Sequence, residues 1–385
     1  MAKTNIFAAT VEHFLKPILP FMNDPAVAEI MINAPDEIYI EREGRVTKTD
    51  AKFADDEALM AAVNNVLQYT GKRVTSDHPL IDSRLPDGSR VHVILYPLCR
   101  TSTVMTIRKF AKVMYDADHL VKLGSWTAES REYLEMCVLA EKNLLVAGGT
   151  SSGKTCLLNV LSSFLPNHQR IVVIEDSAEL DLQQEHVVSL ESRPPDRWGR
   201  GEVGIRELFR SSLRLRPDRI IIGECRGGEA LDIIQAMTSG HAGSMSTLHA
   251  HMAMDALNRL ETLAMMSKID LPLHALRAQI SSAIDVIVQM TRFTDGRRGL
   301  TQVSEVLPLT DSGHYRLQDI FGYRLDDRGE GALLWTGKKS TFVGEPKVEI
   351  LRSRWDLTRK LFEADKANVA VDDEAPVAQP EPAGR

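Results

Sequence analysis

The stretch Asn143-Leu-Leu-Val-Ala-Gly148-Gly149-Thr150-Ser151-Ser152-Gly153-Lys154-Thr155-Cys156 has the residue types and spacing to hold a polyphosphate. An apolar Leu/Val run leads into a loop of pattern G-x-x-x-x-G-K-T, and the residues from Cys156 to Leu165 continue with apolar positions at helical spacing. Successive backbone N–H groups can turn toward one anion only where Cβ atoms stay clear, so glycines bound the loop. The positive end of the following helix adds to the attraction. Lys154 would reach the β- and γ-phosphates, and the Thr155 hydroxyl would ligate Mg²⁺. The pattern predicts binding of a nucleoside triphosphate.

Other residues could complete a reaction at that loop. Arg170-Ile-Val-Val-Ile174-Glu175-Asp176 is a β-branched strand with two acids at its carboxyl end, where open α/β sheets bind ligands, and Glu179 lies close behind. These carboxylates would hold Mg²⁺ through water or orient the attacking water; alternatively Asp176 caps a helix. Arg216-Pro-Asp218-Arg219-Ile-Ile-Ile-Gly223-Glu224 reads as a buried parallel strand that delivers one carboxylate. With a phosphate loop upstream, Glu224 would polarise a water attacking the γ-phosphate. Ser239-Gly240-His241-Ala-Gly243-Ser-Met-Ser246-Thr247-Leu-His249-Ala-His251 reads as a turn into a short strand whose polar side chains could sense that phosphate. Metal binding by His249 and His251 lacks a third ligand at convincing spacing. Arg206, Arg210 and Arg214 share one face of a helix, facing either an acidic partner surface or solvent. Arg90 and Arg108 border β runs, as phosphate-binding forks or as surface residues.

The elements that must position these groups divide the chain. Residues 1–111 read as a compact α+β domain, 112–125 as a polar linker, and 126–366 as the phosphate-binding domain ending in a β/helical subregion. Within the first, the pattern predicts a helix in 5–22, strands at 30–32 and 37–41, a helix from Asp56 to Thr70, and strands near 90–95 and 103–109. Trp355, Leu357 and Leu361 suggest a closing helix, and 367–385 an acidic, Ala/Pro-rich disordered tail. At 385 residues, two domains or three are expected. A net charge of −7 argues against a chain built to coat nucleic acid. The four cysteines form no C-x-x-C pair, which suits a reducing cytosol rather than a zinc or disulfide framework. Neither a long apolar span nor a secretory signal is expected, so contact with a membrane would come through partners.

In combination these motifs resemble the secretion-ATPase superfamily of type II and type IV secretion and type IV pili, most closely the Tad (Flp) pilus assembly ATPase. The stretches carrying the resemblance are Asp82-Ser-Arg-Leu-Pro-Asp-Gly-Ser-Arg90, Thr106-Ile-Arg-Lys-Phe110, the 148–155 loop, Ile174-Glu-Asp-Ser-Ala-Glu-Leu180, Leu190-Glu-Ser-Arg-Pro-Pro195, Leu213 to Glu224, and Thr238 to Ala250. The resemblance implies a RecA-like P-loop ATPase domain (α/β) preceded by a smaller PAS-like α+β domain. It implies that Gly148, Gly149, Thr150, Ser151, Ser152, Gly153, Lys154, Thr155 and Cys156 hold ATP and that Glu224 is the Walker B glutamate. It places Glu175, Asp176 and Glu179 in an acidic box, with Glu175 beside Mg²⁺, and His249 in a histidine box. Arg90 and Arg108 match arginines that reach the phosphates. It further implies a hexamer on the cytoplasmic face of the inner membrane, working against polytopic platform proteins, with no nucleic acid. Ser151 and Ser152 stand where Gly-Ser is usual, and Cys156 where Thr is usual; the non-glycine at 151 is expected to bear on nucleotide affinity. The missing C-x-x-C pairs argue against the type II branch. The alternatives are a conjugation or type IV secretion ATPase, a nucleic-acid-stimulated motor, and a scaffold that binds ATP without turnover.

Overall fold

A computed structural model of the chain describes residues 10–42, 44–73, 79–109, 115–195, 199–325, 331–352 and 354–363. The chain divides into two compact units, Met1–Met114 and Tyr115–Arg385.

In the first unit, β1 (Val27–Ala34), β2 (Glu37–Arg42), β3 (Arg45–Lys48), β4 (Leu80–Arg84), β5 (Arg90–Ile94) and β6 (Val104–Arg108) form an antiparallel sheet of order β3-β2-β1-β6-β5-β4. Alternation in β1, β2, β5 and β6 turns Ile30, Ile32, Ile38, Ile40, Val91, Val93, Met105 and Ile107 to one core. The helix Asp56–Tyr69 lays Leu59, Ala62, Val63, Val66 and Leu67 on that face, spaced i, i+3, i+4, i+7, i+8. Asp55 caps it by accepting from the Ala58 N–H at 2.8 Å. The two strands that the sequence pattern does not announce are the sheet edges. All of β3 is exposed and β4 buries only Ser83, so neither carries an apolar alternation.

In the second unit, β7 (Leu144–Gly148), β8 (Ile171–Glu175), β9 (Val187–Glu191), β10 (Arg219–Ile222), β11 (Met245–His249), β12 (Val286–Arg292), β13 (Arg298–Leu307), β14 (Arg316–Leu325) and β15 (Gly331–Trp335) form one sheet, ordered β15-β14-β13-β12-β7-β11-β10-β8-β9. The strands from β12 to β9 run parallel, and β13 to β15 extend the sheet antiparallel from β12. Strands β7, β8 and β10 read as apolar runs because both faces are covered. Leu144, Val146, Ile171, Val173 and Ile221 face the helices Ala128–Leu139 and Lys154–Ser162. Leu145, Ala147, Val172, Ile174, Ile220 and Ile222 face Ile205–Ser212, Glu229–Thr238, Ala253–Met265 and Leu273–Ala283.

Within the expected linker, 112–125, the described residues from Tyr115 onward are packed into the second unit. Asp116 caps a helix Ala117–Lys122, which buries Ala117 and Leu120 in the core of the second unit. The Trp126 Nε1–H donates to the Ala117 carbonyl at 2.9 Å. A few apolar positions among Asp116, Asp118 and Lys122 are enough for one turn that packs. The expected closing helix is two short ones, Pro346–Arg352 and Arg359–Glu363, with Trp355 between them. The expected disordered tail, 367–385, lies outside the described residues. Buried Glu305 ties the C-terminal stretch down by accepting from the Tyr133 hydroxyl at 2.6 Å and the Thr341 N–H at 2.7 Å.

Arg219 opens β10 wholly buried, its guanidinium donating to Gln169 Oε1 at 2.8 Å and to the carbonyls of Val138 and Ala242 at 3.3 and 3.4 Å. That placement explains the glycine at 243. Its φ is +77°, and a Cβ there would sit 1.3 Å from the guanidinium nitrogen of Arg219. Gly243→Ala should therefore destabilise the second unit by more than about 3 kcal/mol, combining overpacking with left-handed strain. Thermal unfolding checks this, and a variant melting with the wild type would refute the packing argument.

Candidate nucleotide-binding and hydrolysis site

The loop at the end of β7 is shaped by the strand beside it. β12 pairs Met290 with Gly148. A Cβ on Gly148 would lie 2.6 Å from the Met290 carbonyl oxygen and 2.5 Å from Ser152 Oγ, so only glycine fits. A side chain on Gly149 would meet open space. Gly153, at φ +96°, is the N-cap of the helix Lys154–Ser162. No side chain caps this helix and its first turn holds no acid, so its positive end is left to an outside anion. Lys154 is buried and donates from Nζ to the carbonyls of Gly148 and Gly149 at 3.1 and 2.8 Å. Ser152 Oγ–H donates to the Gly149 carbonyl at 3.0 Å, while Thr150 is exposed. Thr155 and Cys156 are half-buried, and burial pushes the Cys156 thiol up to about 11 although Arg298 opposes it. The cradle fits a polyphosphate.

The carboxyl ends of β8, β10 and β11 converge on the same side. Glu224 follows β10 and is held from two directions. Its Oε2 accepts from Arg226 Nε at 2.8 Å, and its Oε1 lies 2.9 Å from His249 Nε2, at the end of β11. The other ring nitrogen, Nδ1, is 3.4 Å from Lys154 Nζ. A neutral imidazole with the proton on Nε2 satisfies both neighbours, since a carboxylate only accepts and an ammonium only donates. Arg226 also reaches Asp176 Oδ2 at 3.2 Å. The result is a chain of contacts, Lys154–His249–Glu224–Arg226–Asp176, across the ends of four strands.

Of the two readings of the acids after β8, the structure excludes the helix cap and shows what each carboxylate touches in the chain. Asp176 caps no helix: the residues after β8 form a loop, and Asp176 accepts from Ser192 Oγ–H at 3.2 Å as well as from Arg226. Glu175 is buried and organises that loop, its Oε1 accepting from the N–H groups of Glu179 and Leu180 at 2.9 and 3.1 Å. Gly223 makes room for it, because a Cβ there would lie 2.9 Å from Glu175 Cγ. The arginine stripe is also partly accounted for within the fold. Arg206 and Arg210 both bind Asp232 on the neighbouring helix, at 2.6 and 2.9 Å. His251 is exposed, and among the described residues no His/Cys/Asp/Glu cluster could hold a metal by itself.

In the first unit, Arg90 and Arg108 face each other across β5 and β6. The row continues to Arg84 on β4 and, on the other side, to Glu29 on β1 and Glu41 on β2. Burial raises the Glu29 carboxyl above its ordinary range, with Arg108 opposing the shift. Glu29 on β1 is the counter-charge opposite Arg108 in this row. Arg226 and Arg298 are the site residues that sequence reasoning missed. A basic residue two positions after Glu224 was the only signal for the first. Arg298 had none, because it approaches the loop from a distant hairpin.

Burial, with Lys154 next, lowers the His249 pKa from 6.5, against the pull of Glu224. A lowered imidazole pKa contributes stability that is fully present above 6.5 and is lost as pH falls through that value toward the folded-state pKa. The melting temperature should accordingly drop more steeply in wild type than in His249→Gln between about pH 7.5 and pH 5.5. Parallel pH profiles would mean that His249 is not held neutral by this site.

Comparison with known proteins places these features. The family described as Type II/IV secretion system protein matches residues 12–312. The type IV secretion system protein PtlH of Bordetella pertussis is 34% identical over 310 residues, covering 74% of this chain and 91% of that protein. The type IV secretion system protein VirB11 of Bartonella quintana is 32% identical over 337 residues, covering 78% and 94%. The solved structure of the Legionella pneumophila ATPase DotB shares the fold, with a TM-score of 0.54 at 19% identity over 78% of this chain and 82% of that one. With its phosphate cradle, strand-end acids and full-length relatives in agreement, the chain belongs to the type II/IV secretion system protein family.

Proposed function

We propose that this chain is an ATP-hydrolysing motor of a type IV secretion or conjugation machine. The observation that carries the reading is the uncapped, acid-free helix terminus at Lys154, joined through His249 to Glu224. A water oxygen attacks the γ-phosphorus as the bond to the β,γ-bridging oxygen breaks, leaving ADP and phosphate. Glu224 orients that water and takes its proton, exchanging one present partner for it. Lys154 moves from the Gly148 and Gly149 carbonyls to the β- and γ-phosphate oxygens. Thr155, with Glu175 through water, would hold Mg²⁺, which supplies neutralising charge along the phosphates when bound. On the strength of the motif resemblance alone, the same reading gives Arg90 and Arg108 the role of adding positive charge at the phosphates.

The Tad-type pilus reading rests on the motif combination alone, whereas the relatives PtlH and VirB11 are named as type IV secretion proteins and favour that machine. The same reading includes a hexameric ring at the cytoplasmic face of the inner membrane, reaching it through platform proteins and using no nucleic acid. No helix among the described residues is long and apolar enough to cross a membrane.

Glu224→Gln should lower kcat roughly 100-fold or more while ATP still binds, and Lys154→Ala should abolish binding itself. Phosphate release and equilibrium nucleotide binding separate the two; wild-type turnover in Glu224→Gln would overturn the assignment. Arg90→Ala and Arg108→Ala should each reduce kcat, by up to the order of 10³-fold, with little loss of ATP affinity. An unchanged kcat in both would remove them from the site. Steep, salt-sensitive stimulation of turnover by single-stranded DNA would favour a nucleic-acid motor instead.

A further inference from the structure

Ser151 lies in the middle of the phosphate loop at φ +56°, a left-handed conformation that disfavours any residue with a Cβ. Something must hold it there. The partner is Arg298, the first residue of β13, whose Nε–H donates to the Ser151 carbonyl at 2.9 Å. Its side chain runs along the loop, with Cδ 3.5 Å from where a Cβ on Gly153 would stand. The hairpin carrying it is fixed, for Leu300 N–H donates to the Ser125 carbonyl at 2.7 Å and β12 pairs with β7.

We propose that Arg298 is a positioning residue for nucleotide, acting through the backbone of Ser151. Because a trans peptide sets its C=O and N–H on opposite sides, drawing the Ser151 carbonyl to Arg298 turns the Ser152 N–H away from the hairpin. The orientation of one donor in the anion cradle is thus set from β13. Where glycine would adopt the left-handed shape unaided, serine requires the clamp. The inference rests on the proposed ATP-binding role of the loop.

The test is a double-mutant cycle in the full-length chain, with Mg-ADP as the probe. Arg298→Ala should weaken ADP binding roughly tenfold, the cost of one charge-assisted hydrogen bond. In the Ser151→Gly background the same change should cost less than about twofold, because glycine no longer depends on the clamp. Equal losses in both backgrounds, or no loss in Arg298→Ala, would overturn the proposal. Arg298→Lys should resemble Arg298→Ala. Wild-type affinity in Arg298→Lys would mean that charge on the phosphates, not the loop, is what Arg298 supplies. Hydrogen exchange of the loop without nucleotide gives a second readout: Arg298→Ala should speed exchange over 149–155 with serine at 151 but not with glycine. If the wild type binds no nucleotide, the ATPase reading fails, while the exchange data still decide the coupling between Arg298 and Ser151.

Discussion

The contact between His249 and Glu224 is the interaction on which the rest of the site depends. It joins the strand that supplies the candidate catalytic carboxylate to the strand beside the phosphate loop. Lys154 lies on the far side of the imidazole and Arg226 on the far side of the carboxylate, so the charges alternate along the chain with a neutral group in the middle. Removing that neutral group would leave Glu224 answering to Arg226 alone. Nucleotide would compete for Lys154, and the change would reach Glu224 through one ring. The loop proposed to hold the phosphates and the acid proposed to act on them are therefore coupled by contact rather than only by proximity.

The sheet makes this coupling possible. In β12-β7-β11-β10-β8 all strands point the same way, so their carboxyl ends collect Gly148, Glu175, Glu224 and His249 on one edge. Two of these ends depend on close approach, for Gly148 yields to the backbone of β12 and Gly223 yields to Glu175. At the opposite, amino edge of the sheet Gly243 yields to the guanidinium of Arg219. All three glycines are places where a side chain would collide with a neighbour.

Much of this was legible beforehand because it is written in local spacing. The apolar runs at 144–147, 171–174 and 220–222 could only be buried strands, and the Gly/Lys/Thr spacing required a strand and a helix around it. The edge strands β3 and β4 escaped notice because they bury almost nothing, and the helix 117–122 because its apolar positions are few. Arg206 and Arg210 read as facing either an acidic partner surface or solvent; their counter-charge, Asp232, is one helix away in the same chain. Glu175 was expected at a metal, and its position shows a loop to organise first.

By itself, the sequence determined the phosphate cradle, since glycine, lysine and threonine at that spacing act on one another through a few covalent bonds. It also determined which strands are buried on both faces, since that follows from composition along a short run. Only the tertiary structure decided what each charged group touches. Glu224 and His249 meet because β10 and β11 are neighbours in the sheet, and Arg298 meets Ser151 across 147 residues of chain. Hydrogen bonds act over about 3 Å in space and carry no memory of separation along the chain, so the loop's shape became readable while its clamp did not.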